Sequence, residues 1–292
     1  MTQRLHRTLA GGNRIAALAV CCVVGLWSTD VAGAEWQEIA SGVEYLEKTK
    51  SGPVDVHAVR VDLCEPGVRI RATGEDEVQK RTSEFGDNIG AIFAVNGGFF
   101  EPDYSPTGLA AGGDSIWSTS SGRHGFVAFG KHRAEIVAPG DGAEAQTDWI
   151  SDAVDGSTKV LTDGKPMDED PGFCGTRHPR TAVGLSEDGA RLLLVVADGR
   201  RDESIGLRCT ELGGLMKSLG ADEALNLDGG GSTTMWRKGE GVVNQPSAGM
   251  ERVVANHLAV ETDDDATGAM SCPDTSTKPE GEEPDDGDEE KD

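Results

Sequence analysis

Two apolar runs of this chain each end in an aspartate followed by glycine: Leu192 to Ala197 leads into Asp198-Gly199-Arg200, and Ala224 to Leu227 leads into Asp228-Gly229-Gly230-Gly231-Ser232. Two carboxyl groups are the usual requirement for glycoside hydrolysis, one protonating the leaving oxygen and one attacking or stabilising the anomeric carbon. Three consecutive glycines let the backbone approach a ligand closely and aim successive amides at an anion, although glycine triplets also occur in plain loops. Asn96-Gly97-Gly98-Phe99-Phe100 follows a third apolar run, Ala91 to Val95, and places a polar side chain at its end. The plainer reading of that segment is a hairpin turn with two core phenylalanines. Arg177-His178-Pro179-Arg180-Thr181 and Arg200 cluster guanidinium groups, the side chain suited to bidentate recognition of phosphate.

The elements that must position these residues are mostly strands. Gly is abundant at 40 residues and aromatics are scarce at 5%, which suits short strands and tight turns. Val54 to Leu63 and Val68 to Ala72 flank Cys64-Glu65-Pro66-Gly67 and predict a hairpin, while the three fully apolar runs predict buried central strands. Leu212, Leu215, Met216 and Leu219 fall on one face of a helix that Thr210 can cap and Gly220 ends. Strand, helix and strand over residues 192–227 then form a β-α-β unit. Its strand ends open on one edge of a sheet, with Asp198 and Asp228 facing a common cleft from adjacent positions. Thr233 to Arg237, Gly241 to Asn244 and Arg252 to Val260 supply further strands, in a mixed α/β (α+β) fold.

Glu211 at the helix start is able to reach the same cleft or simply to favour the helix dipole. His178 and His257 are possible acid-base groups, but each lies beside a strand, where a hydrogen-bonded structural histidine is more common. The Asp-rich loops could offer oxygens to Ca²⁺ or another divalent metal, yet the EF-hand spacing is absent and no cofactor or metal is implied.

The ends of the chain set its compartment. Arg4, Arg7 and Arg14 precede the short apolar run Ile15 to Trp27, and Val31-Ala32-Gly33-Ala34 suits signal peptidase, so residues 1–34 read as a signal peptide. Lipidation at Cys21 or Cys22 is an alternative that leaves the domain outside as well. Residues 35–262 form one domain, and 263–292 an acidic, disordered tail. From residue 261 onward 14 acidic residues face only Lys278 and Lys291, a charge of −12. With +2 in the first 34 residues and −24 in all, −14 remains for residues 35–260, which argues against nucleic acid and anionic lipid as partners. Stable membrane insertion is not expected after signal cleavage. Cys64, Cys174, Cys209 and Cys272 allow two disulfides in three connectivities. Pairing of Cys174 with Cys209 is expected because both flank the same site, which leaves Cys64 with Cys272.

Five segments together resemble the phosphodiester glycosidase family, the catalytic-domain family of N-acetylglucosamine-1-phosphodiester alpha-N-acetylglucosaminidase. They are Ala94 to Phe100, Arg177 to Gly184, Val195 to Arg200, Glu211, and Leu225 to Thr234. The resemblance implies a mixed α/β fold and hydrolysis of a sugar 1-phosphodiester at its glycosidic bond. On this reading Asp228 is nucleophile or base, with Asp198 assisting and Glu211 a third candidate. Arg180, Arg200 and the amides of Gly229, Gly230, Gly231 and Ser232 hold the phosphate, and Asn96 and Asn226 bond sugar hydroxyls. Gly97, Phe99 and Thr233, in the same segments, complete the substrate-binding set. A metal-dependent phosphodiesterase at the same cleft and a non-catalytic cell-envelope glycan-binding protein are the competing expectations.

Overall fold

The computed structural model describes residues 35–50, 52–120, 122–141, 147–263 and 272–273. The expected signal peptide and most of the acidic tail lie outside them. Three sheets and two α-helices make up the described residues, a strand-rich α+β fold in which every neighbouring strand pair runs antiparallel. None of these helices is long and apolar enough to cross a membrane.

The large sheet has eight strands, in the order Gln37–Ala40, Val43–Lys50, Val54–Asp62, Arg191–Ala197, Arg180–Leu185, Glu223–Asn226, Thr158–Thr162 and Lys165–Pro166. One of the five-stranded sheets centres on Phe93–Asn96, flanked by Met235–Arg237 and His257–Thr262, with Gly241–Val242 and Val68–Ala72 at its edges. The other centres on Asp152–Gly156, between Ala110–Gly112 and Gly125–Gly130. Val59, Val61, Val183, Leu194 and Leu225 from the large sheet share one core with Ile70, Phe93, Val95 and Leu258. The opposite face of the large sheet buries Leu193 and Val195 against helix Cys209–Leu219 through Leu212, Leu215 and Met216.

Two expectations of local pairing are corrected. Val54–Asp62 and Val68–Ala72 do not form a hairpin: the first pairs with Val43–Lys50 and Arg191–Ala197, the second with His257–Thr262 in another sheet. The chain turns at Gly67, whose φ is +84°, and crosses the shared core, so both runs bury their alternate apolar residues without touching each other's backbone. The β-α-β unit is split. Arg180–Leu185 lies between Arg191–Ala197 and Glu223–Asn226 and pairs with both. The outer two therefore run parallel and end on the same edge, but about 10 Å apart, two strand spacings. The helix begins at Cys209 after Arg208, with the Glu211 carboxylate accepting from the Arg208 amide at 2.9 Å. Thr210 does not cap it; its amide and hydroxyl both donate to Asp170. The last strand starts at His257, which leaves Arg252 in the preceding loop.

Disulfides join Cys64 to Cys272 and Cys174 to Cys209. Such bonds fit a protein that folds in an oxidising compartment.

Candidate active site

The register fixes what meets at the sheet edge. Arg180 pairs with Ala197 and Ala182 with Asn226, so the start of one strand and the ends of its two neighbours coincide. Beyond that edge the Leu227 amide donates to Thr181 O, and the Asp228 amide donates to Gly97 O. Asn96 closes the clamp, its Nδ2 donating to Asp228 O at 2.8 Å. The large sheet thus holds Leu227 and the end of the Phe93–Asn96 strand grips the backbone of Asp228, a residue that lines a cavity of about 210 Å³.

Phe99, Phe173, His178, Arg180, Arg200, Asn226, Asp228, Gly229 to Gly231 and Arg252 line this cavity. Burial raises the Asp228 pKa above the usual carboxylate range, opposed by the Ser232 hydroxyl, the Gly229 amide and the Arg252 charge. Arg180 is 2% exposed, with Nε and Nη2 donating to the carbonyls of Leu207 and Thr176. Arg200 adopts a left-handed backbone, φ +62°, uncommon for a side-chain-bearing residue and costing about 1–2 kcal/mol. Its guanidinium lies 3.4 Å from His178 Nδ1 and packs on Gly230, where a Cβ would stand 3.0 Å from Nη2. Gly230 itself needs glycine at φ +61°. Arg252 reaches Ser232 Oγ at 3.3 Å and lies against Gly231. Among the described residues no carboxylate pairs with Arg180, Arg200 or Arg252, in a chain whose net charge is −24. Three guanidiniums without a carboxylate partner border one small cavity, an arrangement able to hold an anion, although Arg180 already gives Nε and Nη2 to backbone carbonyls.

Several candidates stand elsewhere. Asp198 is 1% exposed and does not line the cavity; its carboxylate accepts from Asn244 Nδ2 and from the Gln245 amide, each at 2.9 Å. The intervening strand separates it from Asp228, which removes the expected shared cleft. Glu211 pairs with Arg177 and caps its own helix. Asn96 is fully buried and saturated: Oδ1 accepts from the Thr181 hydroxyl and the Thr234 amide while Nδ2 binds Asp228 O and Gly97 O. It positions the loop and offers nothing to a sugar. Gly97 and Thr233 are likewise not among the lining residues. The glycine nest is largely engaged within the protein, since the amides of Gly229, Gly230 and Ser232 donate to Asp228 Oδ1, Pro179 O and Gly229 O. Asn226 differs: its Nδ2 donates to Ser157 Oγ and Leu227 O, but its buried Oδ1 has no protein partner. His257 is fully buried, stacked on Phe85 and bonded to Thr73, a structural histidine whose pKa burial lowers to about 3.

The sequence reading missed three contributors. Arg252 sits in a loop with no motif around it, and only the fold brings it to Gly231. Phe173 is 47% exposed and edge-on to Phe99 across the cavity mouth, held there by the Cys174–Cys209 bond. Asp155 is fully buried behind the Asn96 loop; a Cβ on Gly98 would lie 1.9 Å from its Oδ1, which is why that glycine is required. Its Oδ2 accepts from Thr107 Oγ1 at 2.9 Å, and burial raises its pKa to about 7. Asp163, Asp222 and Glu223 bring one carboxylate oxygen each within 4.8 Å of one another, but none of the three lines the cavity, and Glu223 already pairs with Lys159.

A strand-rich α+β domain with one carboxylate set among unpaired guanidiniums at a sheet edge is the class these features define. The family model described as phosphodiester glycosidase matches residues 89–261, and the chain belongs to that family. A hypothetical protein from Synechocystis shares the fold with a TM-score of 0.65 at 15% identity, covering 80% of this chain and 64% of that one. The zebrafish N-acetylglucosamine-1-phosphodiester alpha-N-acetylglucosaminidase catalytic domain, auto-inhibited by its pro-peptide, superposes with a TM-score of 0.62 at 18% identity, covering 79% of this chain and 87% of that one. A curated relative, the SPbeta prophage-derived uncharacterized protein YomE of Bacillus subtilis (strain 168), is 37% identical over 91 residues, 31% of this chain and 14% of the relative.

Proposed function

We propose that this protein is an exported hydrolase that cleaves the glycosidic bond of a sugar 1-phosphodiester of the GlcNAc-1-phosphodiester kind. The observation that carries the reading is the cavity where the Asp228 carboxylate stands among Arg180, Arg200 and Arg252 with no ion pair to occupy them. A phosphodiester leaving group departs as a phosphate monoester, a weak base that hardly needs a general acid. Guanidiniums aimed at its oxygens stabilise the charge that develops as the bond breaks, and in a partly desolvated site that is worth more than in water. Asp228 then acts at the anomeric carbon, as nucleophile or as base for water. Asn226, whose Oδ1 lacks a partner, accepts from a sugar hydroxyl, while Phe99 and Phe173 wall the sugar. Membership of the phosphodiester glycosidase family and the two disulfides support both the substrate class and the export.

The test is incubation of the purified protein with a panel of sugar 1-phosphodiesters in ¹⁸O-water, with products identified by mass. The expected products are a free sugar labelled at its anomeric hydroxyl and an unlabelled phosphate monoester. Label in the phosphate, lost with EDTA, would replace this reading with metal-dependent cleavage of the P–O bond. No turnover of any member, with retained binding, would mark a non-catalytic glycan-binding protein.

A further inference from the structure

A second concavity of about 570 Å³ borders the first, lined by Arg201, Val242, Asn244, Gln245, Pro246, Ser247, Gly249, Met250 and Glu251. Their linings have no residue in common but adjoin along the chain. Arg200 faces the small cavity and Arg201 the groove; Arg252 faces the small cavity and Glu251 the groove; Ser247 of the groove touches Gly230 O of the glycine loop at 3.4 Å. A phosphate held by Arg200 and Arg252 therefore stands at the junction.

Most of the groove's charged and amide groups are already engaged. Arg201 pairs with Asp55 and Asp198, Asn244 bonds Asp198 and Thr233 O, and Glu251 accepts from the amide and hydroxyl of Ser83. What remains for a ligand is the exposed side chain of Gln245 beside three apolar residues, Val242, Pro246 and Met250. Among the described residues three large apolar side chains are exposed, Ile116, Phe173 and Met250. Two of these flank the glycine loop, Phe173 on the small cavity and Met250, 70% exposed, on the groove. An exposed apolar side chain beside a built anion site is informative where a scattered one is not.

We propose that this groove is the subsite for the alcohol portion of the phosphodiester, and that the alcohol it takes is an apolar, alkyl-type chain. The small cavity receives the sugar, the arginines hold the phosphate between them, and the chain leaves along Val242, Pro246 and Met250. This rests on the reading of the small cavity as the phosphate site.

The test measures binding, and so does not depend on turnover. Inorganic phosphate, methyl phosphate and octyl phosphate below its micelle concentration are titrated calorimetrically into the full chain, its Met250→Asp and Met250→Ser variants, and Arg200→Ala. Inorganic phosphate is expected to bind weakly, and octyl phosphate roughly tenfold or more tighter than methyl phosphate, as burial of a few methylenes requires. Met250→Asp should erase that gain, and Met250→Ser should reduce it while leaving methyl phosphate affinity unchanged. Equal affinity of the two esters, with phosphate binding still lost in Arg200→Ala, would overturn the groove proposal and leave the phosphate site standing. An octyl gain untouched by either Met250 variant would overturn it too, placing the chain elsewhere. Absence of binding by all three ligands would remove the phosphate site and the groove proposal with it. Concentration-dependent dimerisation abolished by Met250→Asp, without any octyl gain, would assign the groove to a second copy instead.

Discussion

Asp228 meets both demands of a reacting carboxylate, a backbone clamped by Asn96 and Gly97 and a side chain open to the cavity. Asp228→Asn keeps an oxygen for the Gly229 amide, so turnover of a GlcNAc-1-phosphodiester should fall by at least about a thousandfold while the melting temperature barely moves. Full activity in that variant would take Asp228 out of the mechanism. Asp198 calls for the opposite outcome. Removing its carboxylate in Asp198→Ala strands Asn244 Nδ2 and the Gln245 amide, each a buried donor worth about 1–3 kcal/mol when unpaired. Thermal stability should drop by several degrees with kcat of the folded fraction retained, and a large loss of kcat at unchanged stability would restore Asp198 as a catalytic residue. The sequence reading put Asp228 in the leading role but kept Asp198 beside it in one cleft, because both end apolar strands in Asp-Gly. The choice was made by which turn finds donors from the 244–245 segment and which is left facing space.

At the scale of elements, the Cys174–Cys209 bond ties the turn carrying Phe173 to the start of helix Cys209–Leu219. Carbonyls of that turn and its neighbours, Phe173 and Thr176, also receive the Arg180 guanidinium. With the cysteines separated by 35 positions in sequence, the Cys174→Ala/Cys209→Ala double variant should lose roughly 3–4 kcal/mol by loop-closure entropy. Kinetically it should raise KM more than it lowers kcat, since it frees Phe173 and Arg180 but leaves Asp228 clamped. Denaturant melts and steady-state kinetics check both, and an unchanged KM would detach the Phe173 turn from the site. The helix face, its Gly220 end and the buried character of its flanking strands were readable from spacing alone. Insertion of Arg180–Leu185 between those strands was not, since strand order is decided by which pairings bury both faces of the sheet.

At the scale of the molecule, buried titratable groups pull stability in opposite directions with pH. Burial lifts Asp155 to about 7 and Asp152 to about 6, so the folded state holds protons that an unfolded aspartate releases near 4, and these two weaken the fold as pH rises from about 4 to 7. Burial lowers His257 to about 3, so the unfolded state binds the proton more readily, and this group weakens the fold as pH falls from about 6.5 toward 3. Comparing Asp155→Asn with the parent isolates one group. The variant should melt higher at pH 8, where the parent carries a buried charge, and the difference should vanish below about pH 3, where Asp155 is protonated in both the folded and the unfolded state. A difference independent of pH would mean that Asp155 is not ionised in the fold at pH 8. None of this was visible in the sequence, where Asp155 follows an unremarkable apolar residue and becomes distinctive only by burial behind Gly98.

The sequence by itself determined the α+β class, the buried strands, the amphipathic helix and the family. Those follow from local periodicity, glycine placement and short motifs that act within a few residues of themselves. Only the tertiary structure decided that Arg252 joins the cavity, that Asp198, Glu211 and Asn96 serve the scaffold, and that most of the glycine amides are already bonded. Each of those outcomes depends on partners supplied by distant segments, and hydrogen-bond saturation is a property of the packed chain that no spacing encodes.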